Sequence, residues 1–204
     1  MLRAIADIPG LFVSEPKVIV DERGAFNEWF KASEFEEALG FPFDLQQSNI
    51  STSKKGVLRG FHFADVPPGQ AKFVSCLSGA ILDVAVDVRV GSPTYLKWAA
   101  VELTAANRKS LYLPVGIAHG FLALEDSTVA YLTSAEYRPN TEHGFDPFDP
   151  TVGVEWPEAD YILSEKDKTA PALADAPLPS FEACEEYENM LRDGWALANM
   201  EAGA

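Results

Sequence analysis

The chain has 204 residues, 47% of them apolar and 23% charged, with a formal net charge of −15. That length suits one good-sized core, and the apolar fraction is ordinary for a soluble globular protein. The acidic balance argues against a nucleic-acid or anionic-membrane surface, yet a few local Arg and Lys residues could still invert the field of one cleft for an anionic small ligand. No stretch approaches the roughly 18 consecutive apolar residues of a membrane span, and the N-terminus lacks a basic-then-apolar leader, so cytoplasmic residence is expected. Cys76 falls in a predicted strand and Cys184 in a predicted helix, with no CxxC or His-Cys cluster. Two buried reduced thiols are expected rather than a disulfide.

In chain order, short strands are expected at 11–13 and 17–20, followed by a turn at Asp21-Glu22-Arg23-Gly24 and an extended run over 25–30. Residues 33–39 form a short helix in which Ser33 caps, Glu36 occupies the reciprocal box position and Gly40 terminates. From Gln46 onward the signals are nearly all β. Segments at 45–50, 57–63, 71–77, 80–88, 96–103, 110–113, 119–124 and 128–137 are separated by Gly, Pro, Asn or Asp. Over 82–88 the even positions are Leu or Val throughout, which predicts one core face and one more polar face. Beyond Tyr137 comes a loop bearing Pro, Asp and His to about 150, closed by Trp156-Pro157. A helical turn is expected at 164–168, a Pro/Ala linker at 170–179, and a last helix at about 180–193 capped by Ser180, with Gly194 beyond it. Phe181, Cys184, Tyr187 or Glu188, and Leu191 share one face of that helix. The expectation is a single domain over 1–204 that is mainly β, a jelly-roll β-sandwich with short peripheral helices.

The chain has only three histidines, and two of them, His62 and His119, lie in strand-like apolar runs. Pro114-Val-Gly-Ile-Ala-His119 resembles the second cupin motif. The first motif needs His-x-His and a following Glu, however, and here reads His62-Phe63-Ala64. Two imidazoles are too few for a transition-metal site, so no metal is expected. An imidazole in an apolar pocket is a candidate general base, against the plainer reading of a hydrogen-bonded core histidine. Arg59, His62 and Lys72 lie on neighbouring predicted strands, and burying three cations together is costly without an anion, which a ligand would supply. Tyr131, alternating with Val129 and Thr133, could present a phenol to the same interior or simply pack there. Strict alternation puts Arg59 and His62 on opposite faces. Both reach one cavity only if Gly60 sits in a bulge or kink, so an irregularity is predicted at 58–60.

Taken with Glu15-Pro-Lys, Asp21-Glu-Arg-Gly, Gln47-Ser-Asn49, Val57-Leu-Arg-Gly-Phe-His62, Asp83-Val-Ala-Val-Asp87, Ser92-Pro-Thr, Pro114-x-Gly-x-Ala-His-Gly-Phe121 and Glu155-Trp-Pro157, these residues resemble the dTDP-4-dehydrorhamnose 3,5-epimerases, of cupin fold. The resemblance runs from about Phe12 to Leu178. It is nearest to actinobacterial members around Gln70-Ala-Lys72 and Tyr131-Leu-x-Ser-Ala-Glu-Tyr137. Departures from the broader pattern are Phe61, Ala64, Ser75 and Phe145-Asp-Pro-Phe148.

The resemblance implies an enzyme without cofactor that inverts C3 and C5 of a 4-keto-6-deoxyhexose carried on dTDP. A C4 ketone acidifies the hydrogens on both flanking carbons, so one base can serve both. His62 would remove the proton, Asp167 would orient the ring, Tyr131 would return a proton from the opposite face, and Lys72 would stabilise the enolate. His119 matches a substrate-contacting position. Arg23, Glu28, Gln47, Asn49 and Arg59 match positions that hold the nucleotide sugar, as do Glu142 and Lys166, and Phe26 is placed to stack on thymine. Read by themselves, Arg23 suits a solvated turn, Gln47 and Asn49 an exposed polar face, and Asp167 the reciprocal position of a Ser164 capping box. His143 has no matching role. A homodimer is implied, in which the second subunit's N-terminal strands would supply part of the nucleotide site. The alternatives are an epimerase acting at C3 or C5 alone and a non-catalytic sugar-nucleotide-binding cupin.

Overall fold

The structure, a computed structural model, describes residues 2–202. Its strands are β1 (Leu2–Ala4), β2 (Phe12–Ser14), β3 (Ile19–Asp21), β4 (Gly24–Phe26), β5 (Gln47–Ser53), β6 (Leu58–Ala64), β7 (Lys72–Ser78), β8 (Ala80–Asp87), β9 (Trp98–Thr104), β10 (Ser110–Leu113), β11 (Ile117–Ala123), β12 (Ser127–Thr133) and β13 (Glu142–Gly144). The helices are α1 (Ala32–Leu39), α2 (Glu165–Lys168) and α3 (Phe181–Ala202), with a 3-10 turn at Leu173–Asp175. Six strands form one sheet in the order β1-β2-β10-β7-β12-β5, and five form a second in the order β13-β6-β11-β8-β9. Every pairing within the sheets is antiparallel. Val74, Cys76, Leu111 and Val129 from the first sheet meet Ile81, Ala85, Leu103 and Phe121 from the second in a single apolar cluster. Two sheets stacked over a shared core are the expected mainly β, cupin-type jelly-roll sandwich.

Each sheet also has a covered outer face. On the six-stranded sheet, Phe73, Tyr112 and Leu132 lie under Phe35, Phe41 and Phe43 from α1 and its following loop, and under Cys184 of α3. On the five-stranded sheet, Phe61, Val84, Val86 and Ala118 lie under Phe145, Val152 and Leu173 from the chain beyond β13. This second layer changes the reading of β8. Its even positions are apolar as expected, but its odd face is not turned to water. Asp83, Ala85 and Asp87 point into the sandwich and are all 0% exposed. The Asp87 carboxylate is satisfied there by Arg89 at 2.8 and 2.9 Å, Ser92 at 2.6 Å and Thr94 at 2.7 Å.

Most of the differences from expectation lie at element ends. Helix α1 has Lys31 at its N-cap with no side-chain cap, so Ser33 sits inside the first turn rather than before it. Gly40 ends that helix at φ +80°, donating to Glu36 O, as the sequence suggests. The extended run after the Asp21–Gly24 turn pairs only to Phe26, and β12 stops at Thr133, where the chain bends away. The segment read as loop after Tyr137 contributes β13 at the edge of the second sheet. Ser180 does cap α3, accepting from Ala183 N at 3.1 Å. That helix then runs past 193 and through Gly194 to Ala202, because Trp195, half-buried like Tyr187 and Leu191, continues the stripe that starts at buried Cys184 onto the core. Both cysteines are free and buried. Among the described residues no helix is long and apolar enough to cross a membrane.

Candidate active site

The irregularity expected at Gly60 is present. Along β11 and β6, His119 pairs with His62 and Phe121 with Arg59, so three steps on β6 oppose two on β11. Gly60 sits at this slip with φ +115°, a backbone that L side chains rarely adopt, and an added Cβ there would stand 2.6 Å from Gly120 Cα and from His119 O. The extra residue turns Arg59 and His62 to the same side. Both line one open cavity of roughly 290 Å³ between the two sheets.

The catalytic candidates converge there from different elements. His62 on β6 and His119 on β11 belong to the five-stranded wall, while Lys72 on β7 and Tyr131 on β12 belong to the six-stranded wall. Arg59 and Lys72 therefore face each other across the cavity rather than lying on adjacent strands. Nor is Arg59 buried: its guanidinium is exposed at the mouth, donating to Ser53 Oγ and Thr52 O at 3.1 Å each. Asp167 reaches in from α2. His62 Nε2 lies 2.7 Å from Asp167 Oδ1, and the carboxylate is 6% exposed. Ser164 caps α2 by accepting from Asp167 N at 3.1 Å, so Asp167 fills its capping-box position and partners His62 at once. A second acid–imidazole pair joins His119 Nε2 to Asp83, whose other oxygen is buried without a partner. Glu142 on β13 and Lys166 on α2, both lining the cavity, pair at 2.6 Å.

Burial and neighbouring charge move these groups apart. Burial lowers the Lys72 ammonium from its ordinary value, opposed in part by the negative charges of Glu142 and Asp83. Burial raises the Tyr131 phenol, Glu142 adds to that, and Arg59 opposes it. Burial alone would also raise Asp167, but the hydrogen bond and charge of His62, with Ser164 and Lys166, bring it below the ordinary carboxylate value. For Lys166, burial is outweighed by the Glu142 ion pair, and the ammonium is raised. The result is an ionised acid behind an imidazole on one wall and a protonated phenol on the other. Arg59, Lys72 and Lys166 bring three basic side chains to this cleft of an acidic chain.

Gln47 and Asn49 point into the cavity from β5, and Gln47 Nε2 donates to Asn49 Oδ1 at 2.7 Å. Arg23, Phe26 and Glu28 are not brought to it. Arg23 pairs with Asp21 at 2.5 Å on the β3–β4 turn, Phe26 is 63% exposed, and Glu28 borders a separate cleft beside Trp29 and Lys31. Ser51, Gln70, Tyr137 and Ser164 also line the cavity and were not among the expected site residues. Ser51 was detectable, since it continues the inward alternation of Gln47 and Asn49, and its hydroxyl is buried without a partner. Gln70 and Tyr137 carry no such signal. They are placed by tertiary contacts, Gln70 Nε2 donating to Ala135 O at 2.9 Å and Tyr137 N donating to Gln47 Oε1 at 2.9 Å. His143 stays outside, donating to or accepting from Asp65 at 2.7 Å and lying against Phe63. Among the described residues no three His, Cys, Asp or Glu side chains gather as a metal-ligand set.

Comparison with known proteins gives this geometry its context. The family model described as dTDP-4-dehydrorhamnose 3,5-epimerase matches residues 6–175. A dTDP-4-dehydrorhamnose 3,5-epimerase of Mycolicibacterium smegmatis is 49% identical over 191 residues, covering 91% of this chain and 94% of the relative. The solved rmlC epimerase of Mycobacterium tuberculosis superposes with a TM-score of 0.90 at 44% identity, over 94% of this chain and all of that one. A 3'-monoepimerase from Streptomyces bikiniensis, solved with dTDP-quinovose, superposes with a TM-score of 0.88 at 41% identity, over 91% of this chain and 97% of that one. With the family model covering most of its length and these identities along nearly the whole chain, this protein belongs to the dTDP-4-dehydrorhamnose 3,5-epimerase family.

Proposed function

We propose that this enzyme epimerises dTDP-4-dehydro-6-deoxy-D-glucose at C3 and C5, giving dTDP-4-dehydro-L-rhamnose. The observation that carries the reading is the placement of His62, backed by Asp167, and Tyr131 on opposing sheets of one cavity. Inverting a centre α to a ketone requires a proton to leave one face and another to arrive on the other. His62 takes the proton, and its imidazolium is stabilised by the Asp167 carboxylate. The electron pair left on carbon moves to the C4 oxygen, and the enolate is stabilised by the Lys72 ammonium with His119 nearby. Tyr131 then donates to the opposite face. Because C3 and C5 flank the same ketone, the one pair of groups serves both centres. Gln47, Asn49, Arg59, Glu142 and Lys166 hold the nucleotide sugar, Arg59 at the diphosphate.

Arg23, Phe26 and Glu28 complete that site from a second copy of the chain in a cytoplasmic homodimer. The support is the β3–β4 hairpin, which joins neither main sheet and presents Ile19, Val20 and Phe26 at 53%, 72% and 63% exposure. The free edge strand β5 offers Ile50 at 72% exposure. Sedimentation should find a dimer that Phe26→Asp weakens; a monomer of full activity contradicts it.

Inversion at a single centre remains the second reading, because the Streptomyces bikiniensis 3'-monoepimerase is similar over nearly the whole chain. NMR of the sugar during turnover in D2O separates the two. Deuterium at both C3 and C5 is expected, and incorporation confined to one carbon overturns the double inversion. A non-catalytic sugar-nucleotide cupin would incorporate none.

A further inference from the structure

Asp167 is held at both oxygens. Oδ1 meets His62 Nε2 at 2.7 Å, and Oδ2 accepts from Ser164 Oγ at 2.8 Å. Ser164 Oγ in turn accepts from Asp167 N at 3.1 Å. The single hydroxyl hydrogen of Ser164 is thus committed to Oδ2, while its oxygen caps α2. A carboxylate pinned this way cannot rotate about its terminal torsion without breaking its bonds to both partners.

The pinned carboxylate decides which ring nitrogen of His62 is basic. Asp167 is ionised at neutral pH, its acidity increased by His62, Ser164 and Lys166 beyond what burial takes away. An ionised carboxylate only accepts, so the hydrogen of the 2.7 Å bond is on Nε2. In a neutral imidazole that leaves the lone pair on Nδ1. The ring's other edge is accounted for by β13: a Cβ on Gly144 would stand 3.3 Å from His62 Cδ2 and 2.6 Å from Phe61 O. The Cδ2 edge therefore lies against that strand, and the Nδ1–Cε1 edge is turned away from it. Among the described residues no protein hydrogen bond reaches Nδ1, and the ring is 25% exposed in a residue that lines the cavity.

We propose that Ser164 is a positioning residue for proton transfer. Through Asp167 it holds His62 as the Nε2–H tautomer, so that Nδ1 is the atom that accepts the substrate's proton. This rests on the base role of His62 given above. In the step, the C–H bond α to the ketone breaks, its hydrogen bonds to Nδ1, and its electron pair passes to the C4 oxygen. The ring becomes an imidazolium whose Nε2–H still donates to Asp167. Nothing is oxidised or reduced.

With three histidines in the chain, 15N-histidine labelling and long-range 1H–15N correlation read the tautomer directly, His62 being assigned by its loss in His62→Asn. The wild type should show Nε2 protonated and Nδ1 bare once the ring is neutral. Ser164→Gly keeps a competent N-cap but removes the donor. It should mix the tautomers and lower kcat about tenfold, with KM little changed. Ser164→Thr, which both caps and donates, should restore the tautomer and most of kcat. An Nδ1–H tautomer in the wild type overturns the proposal. So does a Ser164→Gly enzyme with wild-type tautomer and kcat. Full turnover in His62→Ala overturns the base role and this role with it, whereas a wrong tautomer overturns this proposal alone.

Discussion

Lys72 and Tyr131 enter the cavity from neighbouring strands of one sheet, and the same burial displaces their titrations in opposite directions. Burial favours the neutral form of each, so the ammonium loses its proton more readily than usual and the phenol less readily. Lys72 therefore loses its charge at lower pH than an ordinary lysine, and Tyr131 gains its charge at higher pH than an ordinary tyrosine. If its ammonium stabilises the enolate, the alkaline limb of kcat belongs to Lys72. The limb should then fall below the ordinary lysine value of about 10.4, while Tyr131 stays protonated past its own ordinary value of about 10. Lys72→Arg, whose guanidinium keeps its proton to above roughly pH 12, should move that limb upward even if its maximal rate is lower. A pH–kcat profile of the two enzymes checks this, and an unmoved limb would assign it to another group. The residues of this centre differ in how visible they are beforehand. Two histidines in apolar strands stand out by residue type. Ser164 and Asp167 look like an ordinary capping box, because the contact that gives Asp167 a second role, to His62, spans 105 positions of sequence.

At the scale of elements, the sandwich depends on what covers its outer faces. Helix α3 starts where Phe181 N donates to Val90 O at 2.9 Å and where the Phe181 ring lies 5.1 Å from the guanidinium of Arg89. Arg89 also donates to Pro9 O at 3.0 Å, so the Asp87 network joins the sandwich interior to the N-terminal segment and to α3. Gly116 fits beneath this junction because it has no side chain: an added Cβ would stand 2.5 Å from Cys184 Sγ and 2.7 Å from Arg89 Cγ. The motif glycine three residues before His119 thus has a reason in helix docking. Farther along, Gly194 is a helix-interior glycine with open space at its Cβ. Gly194→Ala should therefore stabilise the fold by about 0.5–1 kcal/mol, by lowering the entropy of the unfolded chain and raising helix propensity. Chemical denaturation measures it, and a destabilised variant would mean that this turn of α3 is held by something other than Trp195. A glycine after a periodic stretch reads as a stop signal, and here the stop is overridden by a tryptophan one position later. The strands, in contrast, were recognisable from Gly, Pro, Asn and Asp punctuation. The exceptions are the three-residue edge strands β1 and β13, too short to carry a period, and the strand ends, set by bulges and by side chains such as Thr133 bonding back to Ala135 O.

For the whole molecule, acidity and burial meet in a few carboxylates that stay ionised inside the fold. Asp87, Asp149 and Asp167 are each 6% exposed or less. In each, burial works to raise the carboxyl and is outweighed by hydrogen bonds that lower it below the ordinary value. A carboxyl lowered in the native state contributes stability that is full above its unfolded value of about 3.9 and is lost as pH falls through the native one. The contribution of these three should accordingly be flat through neutral pH and fall steeply below about pH 4. Asp87→Asn should cost about 3–5 kcal/mol at neutral pH, because Arg89, 3% exposed, would be left without its counter-charge. Thermal melts from pH 3 to 7 test both, and a wild type whose stability does not change through the acid range would contradict a role for these carboxylates. The acidic totals also mask the site, since a chain of net charge −15 gathers Arg59, Lys72 and Lys166 at one opening. The sequence showed Arg59 and Lys72 as cations grouped with His62, but not that they stand on opposing walls with Lys166 in the same cavity, because that cavity is built by both sheets and by α2. In the proposed mechanism His62 and Tyr131 act on opposite faces of the same carbon, and solvent exchange in variants tests this most directly. In D2O, His62→Ala should abolish deuterium incorporation at C3 and C5. Tyr131→Phe should retain incorporation but return deuterium to the face it left, giving exchange without inversion. Inversion at the wild-type rate in Tyr131→Phe, or undiminished exchange in His62→Ala, would contradict the two-wall mechanism.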